Sequence, residues 1–164
     1  MLKDARFRSA SSKENLTLDK AIKQATEYIK EDKDAEYDII VGSDSLWRSS
    51  ITVFATVFAV HRKGKGARFW YTKSKEKFPR SIPVRLMREA TDSVELMQYL
   101  YDNEIIDLVP EDNFSVHVDV GAKGESRQVI NEIIGYVTGL GLKCECKPEA
   151  SVGSIVADRI TKPK

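Results

Sequence analysis

The chain is 164 residues long and carries 26 lysines and arginines against 25 aspartates and glutamates, for a formal net charge of +1. This length suits one domain that buries about 70% of its unfolded surface, so no disulfide or metal staple is required. Near-neutrality excludes a bulk electrostatic pull on a polyanion and leaves local patches as the route to nucleic acid.

Residues 1–14 are polar and basic without an apolar stretch of signal-peptide type and read as a flexible basic arm. No segment approaches the ~18 uninterrupted apolar residues of a membrane span, so a soluble cytoplasmic protein is expected. Leu18, Ile22, Ala25 and Ile29 recur at helical spacing within residues 16–31, with Thr17 or Asn15 as the cap. Three strands are expected next, over 37–44, 51–61 and 67–75, and the glycines of Arg62-Lys-Gly-Lys-Gly66 mark a hairpin between the last two. Short connections make these three an antiparallel meander. Pro79 and Pro83 then introduce a helix over 84–103 with an apolar stripe of Leu86, Ala90, Val94, Met97 and Tyr101. A strand over 114–120, a helix over 126–140, a strand over 142–147 and a last helix begun at Ser151 complete the chain. The expected architecture is α/β: one domain spanning 15–164 with a mixed five-stranded sheet, three antiparallel strands followed by α-β-α-β-α, and an extra N-terminal helix. Cys144 and Cys146 sit two apart on a strand, share a face, and read as reduced packing residues.

Three aspartates break this pattern. Asp44 and Asp119 end apolar strand-like runs, and Asp158 lies on the terminal helix. An ionised carboxylate beside a buried strand is costly unless a cation or hydrogen-bond donors compensate it. Taken singly, each also fits a turn cap or a solvated face. Glu89 lies at the border of the apolar stripe with Leu86 and Ser93, whereas Asp92 falls with Arg85, Arg88 and Glu95 on the polar side, so Glu89 is the preferred helix carboxylate.

The motifs Gly42-Ser-Asp-Ser45, His117-Val-Asp-Val-Gly121, Lys147-Pro-Glu-Ala-Ser151 and Val156-Ala-Asp-Arg-Ile-Thr-Lys162, taken in this element order, resemble the ribonuclease H-like fold and, more narrowly, its YkuK-type bacterial family. The resemblance runs from about residue 37 to the C-terminus. It implies a nuclease of RNA or an RNA–DNA hybrid, with Asp44, Glu89, Asp119 and Asp158 as catalytic carboxylates that hold Mg²⁺ or Mn²⁺. Asp44 would bridge two ions, Asp119 and Glu89 would hold one, and Asp158 the other. An all-carboxylate set suits such hard cations better than zinc. The same fold also supports a non-catalytic nucleic-acid-binding or adaptor module.

Softer features surround this set. Arg62, Lys63 and Lys65, in a basic hairpin followed by Phe69-Trp-Tyr71, combine cations with aromatic surface and are expected to contact nucleic acid, or else are a solvated turn over core aromatics. The loop Gly121-Ala-Lys-Gly124, with Lys123, leads into a helix N-terminus that can hold a phosphate or be an ordinary connection. Lys147, Arg159 and Lys162 flank the acidic set and are expected to meet the phosphate backbone. His117 shares a strand face with Asp119 and either assists proton transfer or packs in the core.

Overall fold

The central strands read as nearly continuous apolar runs because both of their faces are covered. In the computed structural model, which describes residues 2–10, 12–120, 127, 129–146 and 160–161, these are β3 (Tyr37–Arg48) and β4 (Ile51–Arg62). Around them in chain order lie β1 (Phe7–Ser9), β2 (Ser12–Leu16), α1 (Leu18–Lys30), β5 (Gly66–Glu76), α2 (Ile82–Tyr101), β6 (Phe114–Val118), α3 (Ile130–Gly139) and β7 (Cys144–Cys146). The sheet order is β2-β1-β5-β4-β3-β6-β7. β3, β4 and β5 form the antiparallel meander, while β6 runs parallel to β3 and β7 parallel to β6.

The mixed α/β architecture is as expected, but the sheet has seven strands where five were anticipated. The two additional strands come from the segment read as a flexible arm. β1 and β2 form an antiparallel hairpin, with Phe7 opposite Leu16, and β1 adds to the edge of β5 through Arg8 and Ser9. Phe7 is 0% exposed and packs on Phe58 with ring centroids 6.3 Å apart, and Leu16 is 2% exposed. One apolar anchor per strand is too sparse to register as strand alternation, yet it suffices where a sheet edge already offers backbone partners.

α1 begins at Thr17, whose hydroxyl accepts from the Lys20 N–H at 3.3 Å. Ala21, Ile22 and Ala25 of α1, with Ala90, Val94 and Met97 of α2, pack into one core with Ile39 and Val41 of β3, Phe58 and Val60 of β4, and Phe114 and Val116 of β6. Cys144 and Cys146 are free thiols packed against its rim, and burial pushes the Cys144 thiol up to about 12. No helix among the described residues is long and apolar enough to cross a membrane.

Candidate carboxylate site

β3 and β6 are neighbouring parallel strands whose pairing ends near Gly42 and His117, while β3 runs on to Arg48. Gly42 pairs with His117. Two residues further along each chain stand Asp44 and Asp119, in a sheet whose strands are about 4.8 Å apart. Alternation along β3 turns Asp44 toward the face opposite Ser43 and Ser45. Thr161 approaches on that side, and its hydroxyl donates to Asp44 Oδ2 at 2.7 Å.

Glu89 arrives from α2. It is 7% exposed, and its Oε1 accepts a hydrogen bond from the Ser45 hydroxyl. Ser45 in turn is held by Arg85, whose Nη1 donates to the Ser45 carbonyl at 3.1 Å and to its Oγ at 2.8 Å. Arg85 lies one turn before Glu89 on the same helix, so guanidinium, hydroxyl and carboxyl form a chain across the end of the sheet. The Glu89 carboxyl is pushed up to about 8, by burial first and also by the charges of Asp44 and Asp119, against the lowering influence of Ser45 and Arg85. Asp44 and Asp119, the other two expected carboxylates within the described residues, therefore both act on Glu89. Glu89 and Asp119 also line one narrow crevice with Ser43, Ser93 and His117. Behind it runs a buried hydroxyl seam: Ser43 Oγ donates to Thr56 Oγ1 at 3.0 Å, and Ser93 Oγ lies 2.9 Å from Ser43 Oγ.

The donor chemistry fits a hard divalent cation. The donors are carboxylate and hydroxyl oxygens, and a cation beside them would offset the cost of ionising Glu89. Among the described residues no group of three His, Cys, Asp or Glu side chains is arranged to hold a metal ion. Asp158 lies outside the described residues, as do Lys123, Lys147, Arg159 and Lys162.

Asp92 does not join this group. Expected on the polar side of the helix, it is instead buried, because Arg88 Nε donates to it at 2.8 Å and covers it while also reaching Glu76. Arg62, Lys63 and Lys65 lie at the opposite end of β3, where Arg62 pairs across the sheet with Tyr37. Arg62 stacks on the rings of Tyr28 and Tyr37 and donates to the Tyr28 carbonyl, while Lys63 meets Glu36 and Asp38 and Lys65 meets Asp32. His117 packs in the sheet: its Nε2 lies 3.1 Å from Ser115 Oγ and 3.3 Å from Glu145 Oε2, and burial holds its pKa below the usual histidine value.

Sequence reasoning missed Ser45, Arg85 and Thr161 as members of the site. Two signals were present: Arg85 stands four residues before Glu89, and Ser45 directly follows Asp44 with opposite facing. It also missed a cavity beside the site, of about 620 Å³, walled by Ser45, Trp47, Arg80 and Arg85.

The model of the ribonuclease H-like family matches residues 20–162. The "Uncharacterized protein YkuK" of Bacillus subtilis (strain 168) is similar to this chain, 27% identical over 164 residues that cover 92% of the chain and 94% of the relative. No solved structure matches.

Proposed function

The chain belongs to the ribonuclease H-like family, and on that premise we propose that it is a divalent-metal-dependent nuclease acting on RNA or an RNA–DNA hybrid, with Asp44, Glu89, Asp119 and Asp158 as its catalytic, metal-holding carboxylates. The observation that carries this reading is that the charges of Asp44 and Asp119, on β3 and just past the end of the neighbouring β6, both act on the buried Glu89 carboxyl. Bound Mg²⁺ or Mn²⁺ would make a water nucleophilic at neutral pH and relieve the leaving oxygen of its charge.

The protein's own part is to hold and orient. β3 and β6 present Asp44 and Asp119 from a rigid sheet, and rigid elements set catalytic groups better than loops do. Ser45 keeps one oxygen of Glu89 hydrogen-bonded, and Arg85 fixes Ser45 through two contacts. Thr161 fixes one oxygen of Asp44. These contacts limit how far each carboxylate can turn.

The test compares wild type with Asp44→Asn on labelled RNA, hybrid and DNA with Mg²⁺ or Mn²⁺. Loss of a charge-stabilising group costs about a hundredfold or more in rate, and that loss is the expected outcome. Equal turnover by both proteins, or none by either, sinks the catalytic claim. One observation favours a second reading. Ser45 and Arg85 already serve the Glu89 carboxyl, as they would in a nucleic-acid-binding module that keeps the scaffold without turnover. Substrate binding with no cleavage by wild type in either metal would select it.

A further inference from the structure

β3 continues past Asp44 to Trp47. Alternation puts Trp47 on the same face as Ser43 and Ser45, the face that meets Glu89. Trp47 stands three residues beyond Asp44, roughly 10 Å along the strand. It is partly exposed and forms a wall of the cavity beside the carboxylates. At about 620 Å³ this cavity falls in the range of roughly 300–1,000 Å³ typical of small-ligand sites.

Two arginines share it. The Arg80 guanidinium lies over the Trp47 ring, 5.0 Å from the centroid. Among the described residues the hydrogen bonds of the Arg85 guanidinium go to the carbonyl and hydroxyl of Ser45 and, at 3.4 Å, the Arg80 carbonyl. Among the described residues neither guanidinium forms an ion pair with an acid, whereas Arg62, Lys63, Lys65, Arg68 and Arg88 each do. Two guanidiniums that form no ion pair among the described residues and an indole face in one cavity suit a ligand with both a negative charge and a flat ring. Ser45 joins the cavity to the carboxylates, since it contacts Arg85 on one side and Glu89 on the other.

We propose that the Trp47, Arg80 and Arg85 cavity binds an unpaired nucleotide of a single-stranded nucleic acid segment, the base stacking on Trp47 and the phosphate lying on the two arginines. The base takes the indole face now covered by Arg80, and that guanidinium swings onto the phosphate. Stacking needs a free base face, which paired bases inside a duplex do not offer, so the ligand at this position is single-stranded. The assignment rests on the reading of Asp44, Glu89 and Asp119 as the cleavage centre in one respect: it delivers the adjoining phosphodiester to them.

The experiment measures binding in EDTA, where its outcome is independent of turnover. A fluorescein-labelled oligouridylate octamer, the same octamer annealed to its complement, and uridine monophosphate as competitor are titrated against the full chain by anisotropy. Tryptophan emission is followed in parallel. Trp70 is 2% exposed and donates its indole N–H to Gln24, so quenching reports Trp47. The expected result is quenching by the single strand and at least tenfold weaker binding of the duplex. Trp47→Ala should weaken single-strand binding about tenfold or more. Arg80→Ala should weaken it and lower the salt slope by about one.

Lys30→Ala, at the end of α1 where it pairs with Glu104, should change neither. Trp47→Leu, which keeps an apolar side chain without a ring, should bind like Trp47→Ala if stacking is the cause, and melting curves check that each variant is folded. Equal affinity for strand and duplex, uridine monophosphate binding as tightly as the octamer, or undiminished binding by folded Trp47→Ala overturns the proposal. An Asp44→Asn protein that cleaves like wild type overturns the nuclease reading while leaving this binding result standing.

Discussion

The two ends of the β3–β4 ribbon use charge in opposite ways. At the end where β4 turns into β5, every described cation of the hairpin meets an acid: Arg62 and Arg68 meet Glu31, Lys63 meets Glu36 and Asp38, and Lys65 meets Asp32. There the hydrogen bond from Lys65 holds the Asp32 carboxyl below its usual range. At the other end like charges gather. Asp44 and Asp119 crowd a buried Glu89, whose carboxyl is pushed up to about 8 by burial first and then by those neighbours. Arg80 and Arg85 lie beside them without ion pairs among the described residues.

The turns follow the same division. Between β4 and β5 the positive φ angles belong to Gly64 and Gly66, which adopt them without strain, whereas between β3 and β4 they belong to Ser49 (φ 43°) and Ser50 (φ 76°). One end is arranged for stability. The other holds unfavourable charge and strained backbone, which is where function is commonly built.

Breaking the contrast at its strongest point means removing Asp44. Asp44→Asn should lower turnover about a hundredfold or more in a cleavage assay, while a Lys30→Ala protein, altered at the end of α1, should cleave like wild type. The next largest effect is on stability. Because the folded pKa of Glu89 lies above its unfolded value, its favourable contribution is fully present below about 4.5 and is lost as pH rises through about 8. Wild type in EDTA should therefore lose stability across that window from this group. Glu89→Gln, which keeps an acceptor for Ser45, should be more stable than wild type at pH 7 by about 3 kcal/mol, and so melt roughly 5–10 °C higher. Melts at pH 5, 7 and 9 check this, since the gain should shrink toward pH 5. A variant that is less stable at pH 7 would identify Glu89 as an ordinary structural acceptor.

Arg62→Ala at the paired end should act in the opposite direction. It removes a guanidinium stacked on two tyrosine rings and a donor to the Tyr28 carbonyl. A fall of roughly 5 °C in Tm is expected, with cleavage per folded molecule unchanged. The smallest effects are at the two turns. Ser50→Gly should gain about 1 kcal/mol by relieving a positive φ, and Gly64→Ala should lose about as much by imposing one. Urea denaturation of both variants measures the pair, and equal signs would remove strain from the comparison.

Much of this was legible in the chain. Apolar periodicity and turn residues located α1, the meander, α2 and β6, since strongly patterned segments declare their elements locally. Asp44 and Asp119 stood out because each ends an apolar run. Glu89 was distinguishable from Asp92 by its place at the stripe's border. Other features left no local trace. Phe7 and Leu16 are single apolar residues in polar surroundings, so the hairpin they anchor could not be read before β5 was known to offer an edge. The burial of Asp92 depends on Arg88 and Glu76, and Glu76 is brought to it only by the approach of β5 to α2.

The sequence by itself determined the order and type of the central elements, because hydrophobic period and glycine and proline placement act over a few neighbouring residues, although β3 runs on to Arg48 and so holds Asp44 inside the strand expected to end there. Only the tertiary structure decided which charges meet. It joined Arg62 and Lys65 to acids of the segment after α1, and it brought Asp44 and Asp119 within electrostatic reach of Glu89 beside Trp47, Arg80 and Arg85. The physical reason is that ion pairing, burial and pKa depend on distances across the sheet between residues far apart in the chain. Strand register and helix docking set those distances, and local composition does not.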